Sequence, residues 1–224
     1  MLGSHDATSA PAFPGPRPRL RGVLHAVAFF VAVVVGSVFV AAADGSRVGA
    51  AAVFAVAAAV MLGASALYHR FAWGPRSLLW MRRVDHAGIY LLIAGSYTSV
   101  GLLTLHGTLR DVVLAIVWSG AAAAILTKFC WVSAPNWVSA SIAVTLGWVG
   151  VAALPQITQN AGIPAVILFA VGGAAYTVGA VVYARQRPDP IPDVFGYHEL
   201  FHALTLVALA CQYVAMAFFV VRVA

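Results

Sequence analysis

A succession of apolar runs, each about as long as a bilayer crossing, constrains this chain more than any other feature. A hydrocarbon core takes about 20 helical residues per crossing. Runs of that order cover residues 23–43, 49–69, 86–105, 111–131, 136–154, 163–183 and 197–221, separated by short stretches carrying charge, Gly or Pro. The expected fold is therefore an all-α membrane protein, a seven-transmembrane helix bundle. Ala- and Gly-rich stretches such as Ala121–Ala124 and Gly172-Gly173-Ala174-Ala175 favour close helix packing in lipid. Composition agrees: 62% of residues are hydrophobic, 9% are charged and the mean hydropathy is +0.92. A soluble domain of about 45–50% apolar and 25% charged residues is far from this, which excludes a water-soluble globule and intrinsic disorder alike.

Residues 1–20, with Pro11, Pro14, Pro16 and Pro18, read as a disordered cytoplasmic tail, and residues 21–224 as the seven-helix domain. The first run has the basic start and the Ala41-Ala42-Ala43 end of a cleavable signal peptide. Its length exceeds the 7–15 residues of an ordinary signal core, however, and we read it as an uncleaved span. Cys130 and Cys211 lie in or beside apolar runs and read as small buried hydrophobes rather than a disulfide pair.

The net charge of +6 does not point to nucleic acid, because the basic residues sit in loops. With the N-terminus inside, ten of the thirteen Lys and Arg residues face the cytoplasm and three (Arg47, Arg110, Arg222) face outward. This bias predicts a cytoplasmic N-terminus and an external C-terminus. Trp73, Trp80, Trp131 and Trp137 fall near cytoplasmic ends and read as interfacial anchors.

Ionisable residues at membrane depth are costly and mark function by default. Three polar clusters stand out: Ser65-Ala66-Leu67-Tyr68-His69 closes the second run, Asp85-His86 opens the third, and Tyr197-His198-Glu199-Leu200-Phe201-His202 opens the seventh. The topology brings all three to the cytoplasmic face. His198 and His202, four apart, share a helix face with Cβ atoms about 5–6 Å apart, so both can reach one ion at about 2.0–2.1 Å. His69 would complete a three-histidine site for zinc, with iron, cobalt or nickel admitted by the ligand type. Asp85 has the charge to hold a metal-bound water and take its proton, and Ser65 lies one turn from His69. The bland alternatives are interfacial histidines, an Asp85 pair with Arg82 or Arg83, and a Ser65 hydroxyl bonded to its own helix. His86 reads as structural. His5, His25 and His106 receive no role.

His198-Glu199-Leu200-Phe201-His202 also matches the zinc-protease pattern H-E-x-x-H. Glu199, the only glutamate in the chain, points about 100° from the histidine face, so it either bears on the metal as a base or faces the cytoplasmic rim.

These motifs, in this order on seven spans, resemble the haemolysin III family. The resemblance rests on Ser65-Ala66-Leu67-Tyr68-His69, Asp85-His86-Ala87-Gly88-Ile89-Tyr90 and Phe195-Gly196-Tyr197-His198-Glu199, and covers spans two to seven. The family is the bacterial branch of the progestin and adipoQ receptor superfamily, which includes the adiponectin receptors and is related to the alkaline ceramidases. The resemblance implies zinc held by His69, His198 and His202, a zinc-bound water held by Asp85, and Ser65 in the same pocket. Tyr97-Thr98-Ser99 departs from the family's Tyr-Thr-Pro, which puts a kink in the third span in doubt.

Two functions follow as expectations. One is a zinc-dependent hydrolase of lipid amide or ester bonds in the bacterial cell membrane, with Asp85 and Ser65 as catalytic groups and a membrane lipid as substrate. The other is a non-enzymatic membrane protein with structural zinc, acting in signalling or membrane permeabilisation. A retinal photoprotein is excluded, since the only lysine, Lys128, lies in the fourth run rather than the seventh.

Overall fold

The computed structural model describes residues 18–221, and most of the expected N-terminal tail lies outside them. Among the described residues the chain is helical, with a single isolated bridge between Ile191 and Phe195 and no β-strand. The helices are α1 (Val23–Ala41), α2 (Arg47–Arg70), α3 (Pro75–Thr104), α4 (Gly107–Cys130), α5 (Asn136–Trp148), α6 (Leu154–Arg185) and α7 (Tyr197–Ala215). A 3₁₀ turn, Val149–Ala153, links α5 to α6, and a π turn, Met216–Val220, extends α7.

Among the described residues, six segments are long and apolar enough to cross a membrane. One of them, Asn136–Arg185, runs for 50 residues. Drawn straight it would extend about 75 Å at 1.5 Å per residue, far beyond a core of about 30 Å. It folds back instead: the Asn136 side-chain amide donates to the Tyr183 carbonyl at 3.4 Å, so its two ends meet. The break falls at Gly162, whose φ of 82° and ψ of 169° suit glycine alone, and Pro164 follows it.

α3 begins at Pro75, eleven residues before the apolar run that marks it in the sequence. Pro75 occupies the first helical turn, where its missing N–H costs nothing, and Arg76, Trp80, Arg82 and Arg83 extend the helix at its polar end. Asp85 and His86 therefore sit inside a continuous helix rather than at its start. Trp80, Trp131 and Trp137 are more than half or about half exposed, as interfacial anchors should be. The core is built from small and aliphatic side chains, among them Ala51, Ala58 and Leu62 of α2 and Ala165 of α6. Both cysteines are free.

Candidate metal centre

The ends of four helices meet at one face of the bundle. α2 brings Ser65 and His69, α3 brings Asp85 and His86, α7 brings His198 and His202, and α1 brings His25. The α7 histidines are placed by the helix start itself. The Gly196 N–H donates to Glu199 Oε2 at 2.9 Å in a capping box, which sets the first turn so that positions 198 and 202 project together.

One nitrogen from each of His69, His198 and His202 lies within 4.8 Å of the others. Nε2 of His69 and Nε2 of His198 are 3.1 Å apart. That separation allows a hydrogen bond between the rings, and it also matches two nitrogens on one tetrahedral ion, which sit about 3.3 Å apart when each is about 2.0–2.1 Å from the metal. His202 is 2% exposed, and its Nδ1 has no hydrogen-bond partner among the described residues. Buried ring nitrogens without partners are uncommon, and a ligand role accounts for such atoms. The three histidines can hold a metal ion.

Asp85 stands beside them, with Oδ2 at 3.9 Å from His69 Nε2 and 3.8 Å from His86 Nδ1. Ser65 is buried one turn above His69, and its hydroxyl lies 2.9 Å from His25 Nδ1. All five residues singled out in the sequence thus converge. The ring nitrogens of His86 contact the Arg82 carbonyl at 2.7 Å and the Tyr183 hydroxyl at 3.3 Å.

Glu199 plays neither role that its position allowed. It is 1% exposed, Oε1 is paired with Arg21 Nε at 2.6 Å, and Oε2 caps α7. A glutamate so occupied is not the base of a protease-like H-E-x-x-H site. Arg21, counted in the sequence only as a topological charge, is its counter-ion.

His25 is the residue that sequence reasoning missed. It is 2% exposed, its Nδ1 lies 2.9 Å from Ser65 Oγ, and its ring stacks on His202 with centroids 3.7 Å apart and planes 8° from parallel. The signal was available: α1 starts at the face where the other three clusters gather. The approach of α1 depends on Gly22, whose φ is 75°. A Cβ there would fall 2.5 Å from the Cβ of His69.

A cavity of about 1070 Å³ opens beside the cluster and continues between the helices. Asp85, His69 and His198 line one end, Tyr97 and Ile93 the middle, and Leu154 and Ile157 the far end. Its walls are mainly apolar, with the histidines and Asp85 gathered at one end.

Curated proteins are similar to this chain over part of its length. A "Hemolysin-3 homolog" of Bacillus subtilis (strain 168) is 31% identical over 140 residues, which are 62% of this chain and 63% of that protein. A "Hemolysin-3" of Bacillus cereus is 32% identical over 141 residues, 63% of this chain and 62% of that protein. The chain thus spans under two thirds of the length of these curated relatives. No solved structure matches it. The sequence profile described as "Haemolysin-III related" matches residues 13–213, taking in every helix that contributes to the histidine cluster. A multi-pass helical membrane protein with these motifs and this match belongs to the haemolysin III family.

Proposed function

We propose that this protein is a zinc-dependent hydrolase that cleaves an amide or ester bond of a membrane lipid near the cytoplasmic face. The observation that carries the reading is the grouping of three histidine nitrogens within 4.8 Å of one another, with a carboxylate 3.9 Å from His69, at the head of an apolar cavity. His69, His198 and His202 hold the metal. A bound zinc ion supplies a Lewis acid that polarises a carbonyl and makes water more acidic.

The remaining chemistry belongs to the chain. Apolar walls take the lipid tail, which leaves the scissile carbonyl at the polar end of the cavity. Water adds to the carbonyl carbon while Asp85 accepts its proton. The bond to nitrogen or oxygen then breaks, and Asp85 returns the proton to the leaving amine or alcohol, so that a fatty acid and a free headgroup base or alcohol result. Ser65, 2.9 Å from His25 Nδ1, offers its single hydroxyl hydrogen to the developing oxyanion. Asp85→Asn keeps the shape and removes the base. It should lower hydrolysis of a long-chain lipid amide by purified protein on the order of 10²–10⁴-fold while the metal content stays the same. Hydrolysis at the original rate would overturn the assignment.

The seven-span topology belongs to this proposal. Gly162 divides the 50-residue segment into an outgoing and a returning helix, giving seven crossings, and the basic bias sets the N-terminus inside. A periplasm-dependent phosphatase fused after α7 should be active and a fluorescent protein fused there dark. The reverse pattern would invert the topology and move the site to the outer leaflet.

The relatives' haemolysin names favour a second reading, membrane permeabilisation, in which zinc joining α2 to α7 would be structural. Dye release from liposomes that is insensitive to Asp85→Asn would support it.

A further inference from the structure

We propose that His25 is a positioning residue of the metal centre: it fixes the ring plane of His202 by stacking and ties that ligand to Ser65 by a hydrogen bond. This rests on the reading of His69, His198 and His202 as metal ligands, and it adds α1 to a site otherwise built from α2, α3 and α7.

Three observations carry it. The His25 and His202 rings lie 3.7 Å apart and 8° from parallel, a full face-to-face overlap that leaves His202 little freedom to rotate about its side-chain torsions. His25 Nδ1 and Ser65 Oγ are 2.9 Å apart, so the stacking ring is itself anchored to α2. Both groups are buried, His25 at 2% and Ser65 at 3% exposure, where a hydrogen bond is worth most and rearrangement costs most. Metal-binding histidines are commonly oriented by a hydrogen bond to the ring nitrogen that does not face the metal. His202 departs from this pattern. Its contact is a ring face instead: His25 stacks on it with centroids 3.7 Å apart and takes the orienting role.

The backbone leading into His25 is built to deliver it. The Arg19 N–H donates to the Asp193 carbonyl at 3.0 Å and the Leu20 N–H to the Val194 carbonyl at 3.1 Å, which docks the entry to α1 on the loop before α7. Arg21 then pairs with Glu199, and Gly22 passes against His69. Four consecutive residues thus register α1 against the two helices that carry the histidines. A ring placed only to fill space would not need that register.

The test compares His25→Ala, His25→Phe and unaltered full-length protein in detergent, titrated with zinc against a competing chelator and with cobalt followed by its visible absorption. Loss of an orienting partner of this kind typically costs 10–100-fold in metal affinity, and that is the loss expected for His25→Ala, with a shifted cobalt spectrum. His25→Phe keeps the stacking face and the packing volume and should recover part of the affinity. It also serves if the alanine variant does not fold. A variant that melts lower yet binds zinc with unchanged affinity and an unchanged cobalt spectrum would overturn the proposal and leave His25 a packing residue. Unaltered protein that binds neither ion would overturn the metal reading itself, and this proposal with it.

Discussion

His202→Ala should abolish stoichiometric zinc binding. Apparent binding free energies for a structural zinc in a small domain are about 10–16 kcal/mol shared over four ligands, so one ligand carries on the order of 3 kcal/mol. At about 1.4 kcal/mol per tenfold, affinity should fall by roughly a hundredfold or more. The expected measurement is one zinc per chain by mass spectrometry in unaltered protein and none in the variant after dialysis against a weak chelator. Because His202 is 2% exposed, the substitution also opens a void, and a fall in stability alone would prove nothing. His86→Ala is the control. His86 sits next to Asp85 and is 8% exposed, yet its ring is engaged by Arg82 and Tyr183, so it should destabilise the protein and still retain the metal. Added zinc should raise the melting temperature of unaltered protein and of His86→Ala by mass action, and should leave His202→Ala where it was. Equal zinc content in all three would remove these histidines from the metal site.

The membrane-spanning helical architecture was legible in the sequence because apolar runs and loop charges are local signals, and lipid forces backbone hydrogen bonds to close within each segment. The convergence of His69, Asp85, His198 and His202 was legible for a related reason. Once the direction of each span is assigned, residues at corresponding ends must share a face. The same argument extended to His25, which opens α1, but its polar neighbours in the sequence, Arg19 and Arg21, read only as topological charges. The start of α3 at Pro75 was hidden because Arg76, Arg82 and Arg83 interrupt the hydropathy signal while leaving helix formation intact. Least legible was Glu199. Its direction from the helix axis was correctly about 100° off the histidine face, but the partner waiting there, Arg21, lies 178 positions earlier in the sequence and is known only from the fold. A motif match fixes residue types and spacing. It does not fix which neighbour claims the carboxylate.

That pairing leads to the second large effect. Arg21→Met should destabilise the protein by about 3–5 kcal/mol, because it strands a carboxylate that is 1% exposed. Removing one partner of a buried pair costs far more than removing both, since the remaining charge loses its attraction but not its desolvation. Glu199→Gln in the Arg21→Met background should therefore restore most of the loss. The glutamine carbonyl can still accept the Gly196 N–H and keep α7 capped, and the charge that needed Arg21 is gone. Thermal unfolding in detergent of the two single variants and the double variant gives the coupling directly. The prediction has a functional edge as well. Arg21 holds the entry to α1 against α7 immediately before His25, so Arg21→Met should also weaken zinc binding, and the double variant should regain stability without regaining full affinity. If Arg21→Met melts with the unaltered protein, the pair is a surface contact in the membrane-bound state, and α1 is docked by its apolar face alone.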